Sequence, residues 1–234
     1  VDGIMTAGPK IINDAKVIPY LSYDEALEMA VFGAKAMHPR ALEPAAEQGM
    51  PVRVRNTFNP SSLGTLITHE TKVKGRDVVK AVALIRDVGM INIAGGGMVG
   101  RPGTSAKIFD VLGRNNINIL MISQSVSEAN ITLLVRRNIL HRAVSALEIA
   151  LLGKGVVKDV SFEDDVSVIA VLGAGMKGTP GVAARVFKAV AERGVNIGMI
   201  AQGSSELNIS FVVKEKDCVE AVKALHNEFK LGKS

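Results

Sequence analysis

The chain has no Trp, only two Tyr and seven Phe, and a single cysteine in 234 residues. So few rings leave little material for the aromatic platforms on which single-stranded nucleic acid stacks. One thiol, Cys218, excludes an internal disulfide framework and fits a reducing, cytoplasmic setting. Cys218 falls on a predicted helix, where a packed or exposed thiol is expected rather than a nucleophile. No apolar run reaches the ~18 residues of a membrane span, and the first residues lack the basic, apolar and small-residue order of a signal peptide. The four histidines, His38, His69, His141 and His226, lie too far apart for metal-ligand spacing, so no metal site is predicted. The net charge of +5 is spread along the chain without a dense basic run. A solvated basic surface is therefore expected, with neither nucleic acid nor membrane as partner.

What the chain does have is a repeat. Residues Gly95 to Val135 align without a gap on Gly173 to Val213, at a shift of 78, with about 18 of 41 positions identical. Two copies do not make a solenoid; they imply a duplicated domain. In the first copy, Met90 to Ala94 alternates as a half-buried strand should. A glycine-rich loop, Gly95 to Gly100, follows. Pro102 and Gly103 open a helix with Ala106, Ile108, Phe109 and Leu112 on its apolar face. Strands are predicted at 117–123, 130–136 and 156–162, with a helix at 140–152 between the last two. This order is βαββαβ, that of a ferredoxin-like module.

The second copy gives strand 166–172, helix 181–193, strands 195–201 and 207–213, and helix 217–229, and lacks a fourth strand. An apolar segment upstream, 78–85, has no partner of its own. An unfinished sheet leaves an unpaired edge, so this segment is expected to complete the second copy. The first copy is then inserted in the second. Ahead of the repeat, 23–36 reads as an amphipathic helix capped by Ser22 or Asp24, 39–49 as a second helix and 51–56 as a strand. Residues 72–77 are polar. The chain opens at Val1 on an Asp-Gly turn with no initiator Met, which points to a piece of a longer protein.

Two such modules in tandem resemble a pair of ACT domains, small amino-acid sensors. VDGIMTAGPK at the start resembles the nucleotide-binding turn of amino-acid kinases. FGAKAMHPRAL (Phe32 to Leu42) with PVRVRNTFNPSSLGTLI (Pro51 to Ile67) is similar to the end of the kinase domain in aspartate kinases. The resemblance covers nearly the whole chain. It implies an α/β (α+β) architecture: an amino-acid-kinase end at 1–70, a linker at 71–77, ACT domain 1 at 88–163, and ACT domain 2 at 78–87 plus 164–234. It also implies ATP-dependent, Mg2+-assisted phosphorylation of the side-chain carboxylate of L-aspartate, the entry to lysine, threonine and methionine. The ATP contacts it implies are Met5, Thr6, Ala7, Gly8, Pro9, Lys10 and Lys35. Lysine suits phosphate as a point charge, and phosphoryl transfer depends mainly on positioning and charge stabilisation. Met5 stands where Tyr is common in the family, and Lys10 where Arg is common, which weakens a bidentate contact. The family's KFGGTS lysine motif, aspartate-binding segment and GRGGSD-like loop are absent. The chain alone is therefore expected to have no catalytic residues and no kinase activity.

For the effector, the resemblance points to the first copy. The loop Met98, Gly100, Arg101, Pro102, Gly103, Thr104 and Ser105 offers main-chain N–H groups at a helix start, which suits a carboxylate. The next strand offers Asn118, Ile119, Leu120 and Gln124. The matching positions of the second copy are Val182, Ala183, Asn196, Ile197, Ser205 and Glu206. Lysine-inhibited relatives often carry an acidic residue where this chain has Leu120. Burying a second ammonium without a carboxylate is costly, so threonine is favoured over lysine. ACT pairing makes a homodimer or larger assembly the expectation. A non-enzymatic amino-acid-binding subunit is the alternative, against which the kinase-like first 68 residues argue. A fused homoserine dehydrogenase is a third arrangement, disfavoured because no dinucleotide-binding domain follows.

Overall fold

The computed structural model describes residues 2–32, 38–69 and 78–232. Lys35 and the proposed linker 71–77 lie outside the described residues. The first part holds a three-stranded sheet. Strand β1 (Tyr20–Ser22) runs parallel to β3 (Thr65–Thr68), and β2 (Val52–Val54) pairs antiparallel to β3. Helix α1 (Tyr23–Val31) starts on a capping box: Ser22 Oγ accepts from the Glu25 N–H at 3.1 Å, while Glu25 Oε2 accepts from the Ser22 N–H at 2.9 Å. Ser22, not Asp24, is thus the cap. The helix expected over 39–49 is broken into a single 3-10 turn, Pro39–Ala41, and a short α2 (Glu43–Glu47). Pro44 has no N–H with which to carry the first turn into the second.

The repeat builds one six-stranded sheet, in the order β5-β6-β4-β7-β9-β8. Its two central strands, β4 (Ala81–Ala94) and β7 (Asp159–Leu172), are each 14 residues long. The remaining elements are α3 (Thr104–Arg114), β5 (Met121–Gln124), β6 (Asn130–Arg136), α4 (Leu140–Leu151), α5 (Val182–Ala191), β8 (Met199–Ala201), β9 (Asn208–Lys214) and α6 (Cys218–Glu228). Ala81 to Ile85 pairs with Val168 to Leu172 of β7, which in turn pairs with β9. The upstream strand therefore lies in the sheet of the second copy, and its continuation, Val88 to Ala94, opens the first. Sequence patterning splits these long strands in two at the exposed polar residues Arg86, Asp87, Asp164 and Asp165. The expected strands 117–123 and 195–201 shorten to β5 and β8, because pairing begins only at Met121 and Met199.

Register shifts fall between Ile85, Val88 and Met90, next to Asp87 at φ 59. A bulge exchanges odd and even faces. Val82 and Leu84 face α5 and α6 before it, and Ile91 and Ile93 face α3 and α4 after it. All four helices thus cover one face. On the other, Val88, Met90, Leu134, Val166, Val168, Met199 and Val212 form a core shared by the two copies. The local two-fold is visible in the pairs it brings together. Val88 opposes Val166, and Arg137 Nη2 meets Glu215 Oε2 at 2.6 Å, each pair being one position of the repeat meeting its own equivalent.

One glycine shows how tightly these copies are packed. A Cβ on Gly89 would come 2.5 Å from Leu140 Cδ2, a side chain with no exposure. The equivalent positions of the second copy hold Ser167 and Cys218, a larger residue opposite a smaller one. Gly89→Ala is expected to destabilise the fold by about 1–3 kcal/mol through overpacking. Gly89→Ala with Leu140→Cys should recover most of that loss in a urea titration.

Candidate functional site

The N-terminal loop is held by the second copy of the repeat. Ala7, Ile12 and Ala15 share a core with Ile169, Val186, Phe211 and Leu225. Thr6, buried, accepts from the Lys16 N–H at 3.1 Å and lies 3.1 Å from Nε2 of buried His226 on α6. Burial pushes the His226 imidazole below its usual pKa, with Asp14 opposing and Lys16 reinforcing the shift. The main-chain N–H groups of Ile11 and Ile12 both donate to Gly8 O. Gly8, Pro9 and Lys10 are exposed. With Met5 and Ala7 they line a largely apolar cavity of about 450 Å³, closed by Met29, Phe32 and Ala81 to Leu84. Five of the seven residues expected at ATP thus line one cavity; Thr6 turns away from it onto His226, and Lys35 lies outside the described residues.

Helix α1 ties this first part to the glycine-rich loop of the second copy. The buried Glu25 carboxylate accepts from the Ala174 N–H through Oε1 and from Lys80 Nζ through Oε2, both at 2.8 Å. One turn on, Glu28 Oε2 accepts from Asn208 Nδ2 at 2.6 Å. Sequence reading missed Glu25, Glu28 and Lys80. The local signal identified only a helix start, since the capping box and the contacts across domains use the same carboxylate.

The expected effector residues divide. Arg101, Pro102, Gly103 and Thr104 line a cavity of about 260 Å³ with Ala150, Leu151 and Lys154 of the α4 end. Leu120 lines a different one, of about 220 Å³, between the β5 and β8 edges, with Phe32, Ala201 and Asn208. Among the described residues the loop and Leu120 therefore line different cavities. Asn118, Gln124, Asn196 and Ser205 are exposed, and Ser105, Ile119, Ala183 and Ile197 are half-buried. The side chains of Met98 and Val182 are core, so these two positions have only main-chain groups to offer. Gly100 donates its N–H to Glu128 Oε2 at 2.8 Å, and Gly178 donates to Glu206 Oε2 at the same distance. Glu206 thus braces its own loop, and Glu128, its equivalent in the first copy, went unnoticed in the sequence. Both acids sit at φ 55.

A model of the ACT domain family matches residues 91–151 and 169–229, and one of the amino acid kinase family matches 1–56. The chain belongs to the ACT domain family, its two ACT domains following the end of an amino-acid-kinase domain as in the C-terminal part of aspartate kinases. It is similar to the chloroplastic bifunctional aspartokinase/homoserine dehydrogenase 1 of Zea mays, 38% identical over 240 residues, all of this chain but 26% of that protein. Its fold matches the aspartate kinase of Clostridium acetobutylicum with a TM-score of 0.89 at 28% identity, over 98% of this chain and 53% of that one. It also matches E. coli aspartokinase III in complex with lysine and aspartate, with a TM-score of 0.80 at 29% identity, over 98% of this chain and 50% of that one. The chain thus spans about a quarter of the maize relative and half of the two solved chains. Among the described residues no helix is long and apolar enough to cross a membrane.

Proposed function

We propose that this chain is the effector-sensing part of an aspartate kinase, and that the whole protein phosphorylates L-aspartate with MgATP in the cytoplasm. The observation that carries the reading is Glu25. A single carboxylate caps the helix of the kinase segment and holds the Ala174 loop of the second ACT domain. An effector that prefers one arrangement of the ACT pair then acts on the kinase segment through that helix, by its difference in affinity for the two states. The ATP loop would be Met5 to Lys10, with Lys35.

The effector is threonine, bound at Met98 to Ser105 and at Asn118, Ile119, Leu120 and Gln124. The separation of loop and strand in one chain supports a site finished by a second ACT module, hence a homodimer or larger assembly. Threonine titrated into this chain in a calorimeter is expected to give a binding heat that Gln124→Ala removes, with lysine silent. Lysine binding would overturn the charge argument at Leu120. The second reading, a regulatory subunit without catalysis, is weakened by the kinase-like segment, which a pure sensor would not need. The maize relative carries a homoserine dehydrogenase by name, so the comparison gives no reason to set that third arrangement aside.

A further inference from the structure

The 78-residue repeat lets one copy serve as a template for the other. In the second copy, three groups hold carboxylates of α1: the Ala174 N–H and Lys80 Nζ hold Glu25, and Asn208 Nδ2 holds Glu28. Their equivalents in the first copy are Gly96, Lys158 and Asn130. The backbone around the two places is the same. Lys80 donates its N–H to Leu172 O at 2.7 Å, and Lys158 donates its own to Ala94 O at 2.8 Å. A Cβ on Gly173 would meet Val78 O at 2.5 Å and Lys80 N at 3.0 Å; one on Gly95 would meet Val156 O at 2.3 Å and Lys158 N at 2.9 Å. Yet Gly96, Lys158 and Asn130 are exposed. Among the described residues no carboxylate takes the place that Glu25 takes in the second copy.

We propose that Gly96, Lys158 and Asn130 form a binding site for a small acidic amino acid. Glu25 and Glu28 are three residues apart on a helix, so they are neighbours on one face, with Cβ atoms roughly 5–6 Å apart. A free dicarboxylate of glutamate length spans the same pair of positions. A second helix does not fit. The floor beneath α1 is Ala81, Ala170 and Leu172, all buried, and its equivalents in the first copy are Asp159, Asn92 and Ala94. An apolar helix face would bury polar groups there without partners. Asp159 also decides between a plain diacid and an amino acid. It opposes two added negative charges, but an α-ammonium meets it favourably. This site uses neither Gln124 nor the residues from Met98 to Ser105, so it stands apart from the threonine reading.

The test is a titration of isotope-labelled chain with L-glutamate, L-aspartate, glutarate and threonine at matched ionic strength, following the Gly96 amide by NMR. L-glutamate is expected to shift it saturably, with Lys158→Gln weakening binding by about tenfold. Glutarate should bind less well than L-glutamate, and Asp159→Asn should remove that preference. Gln124→Ala should leave the response intact even where it abolishes threonine binding. A Gly96 amide that ignores both acidic amino acids overturns the proposal. So does an affinity unchanged in Lys158→Gln, or a response that chloride reproduces. Self-association that Lys158→Gln weakens, with no response to L-glutamate, also overturns it, since an acidic side chain of a second copy would then fill the place.

Discussion

Glu25→Gln is expected to cost about 3–5 kcal/mol of folding stability, the usual effect of removing one partner from a buried ion pair. Glu25 is 1% exposed and its partner Lys80 10%. The amide keeps the shape of the side chain but not its charge, so the Lys80 ammonium is left desolvated beside a neutral group. Gln also carries only one acceptor oxygen where the carboxylate serves three donors, from Ser22, Lys80 and Ala174. At least one donor then loses its partner, at a further cost. Glu28→Gln is the comparison, because the Asn208 amide it faces is neutral; a loss of about 1 kcal/mol is expected there. Lys80→Met added to Glu25→Gln should return part of the loss by removing the stranded charge. The measurement is the urea midpoint of the three variants, with the slope checked for constancy. A Glu25→Gln midpoint close to that of Glu28→Gln would show that the pair is hydrated and that α1 is not fixed to the Ala174 loop in this way.

How much of this was legible in the sequence depended on the range of the interaction. The repeat, the βαββαβ order, helices α3 to α6 and the upstream strand of the second copy all follow from apolar periodicity, which local residues carry. The pairing of Ala81 to Ile85 beside β7 was readable because an unfinished sheet needs an edge partner. The joining of 78–85 with 90–94 into one strand was not, since Arg86 and Asp87 look like a turn and only the bulge opposite β7 keeps them within the strand. Short β1 and β3 carried too few residues to show a period. At the candidate site the glycine loops were legible from spacing, but their braces were not. Glu128 and Glu206 look like solvated acids, and only the fold places each one on the N–H of its own loop. Glu25 and His226 join segments 149 and 220 residues apart, and nothing local to either residue points to its partner.

His226 should make the stability of the chain depend on pH near neutrality. Its ring is buried, and desolvation depresses its pKa in the folded state, only partly offset by Asp14 at 4.0 Å. The unfolded chain, with a histidine pKa of about 6.5, therefore takes up a proton first as the pH falls. The contribution is complete above about pH 6.5 and declines below it, by up to about 1.4 kcal/mol per pH unit, until the folded pKa is reached. The contact with Thr6 fits a neutral ring. Thr6 Oγ1 already accepts from the Lys16 N–H, so its hydroxyl hydrogen is free to donate to Nε2 in the tautomer that carries the ring proton on Nδ1. Protonating Nε2 replaces that acceptor with a donor and strands the hydroxyl hydrogen in a buried position. His226→Gln should flatten the slope between about pH 6.5 and 5, because the ring whose protonation the fold opposes is then gone. Equal slopes in the two proteins would refute the assignment. Since Thr6 belongs to the loop proposed for ATP, amide exchange of residues 5–10 should quicken over the same pH range in the natural sequence. In His226→Gln it should be independent of pH once the intrinsic exchange rate is divided out. A loop that loosens only when α6 of the second ACT domain acquires a charge is one whose conformation that domain sets.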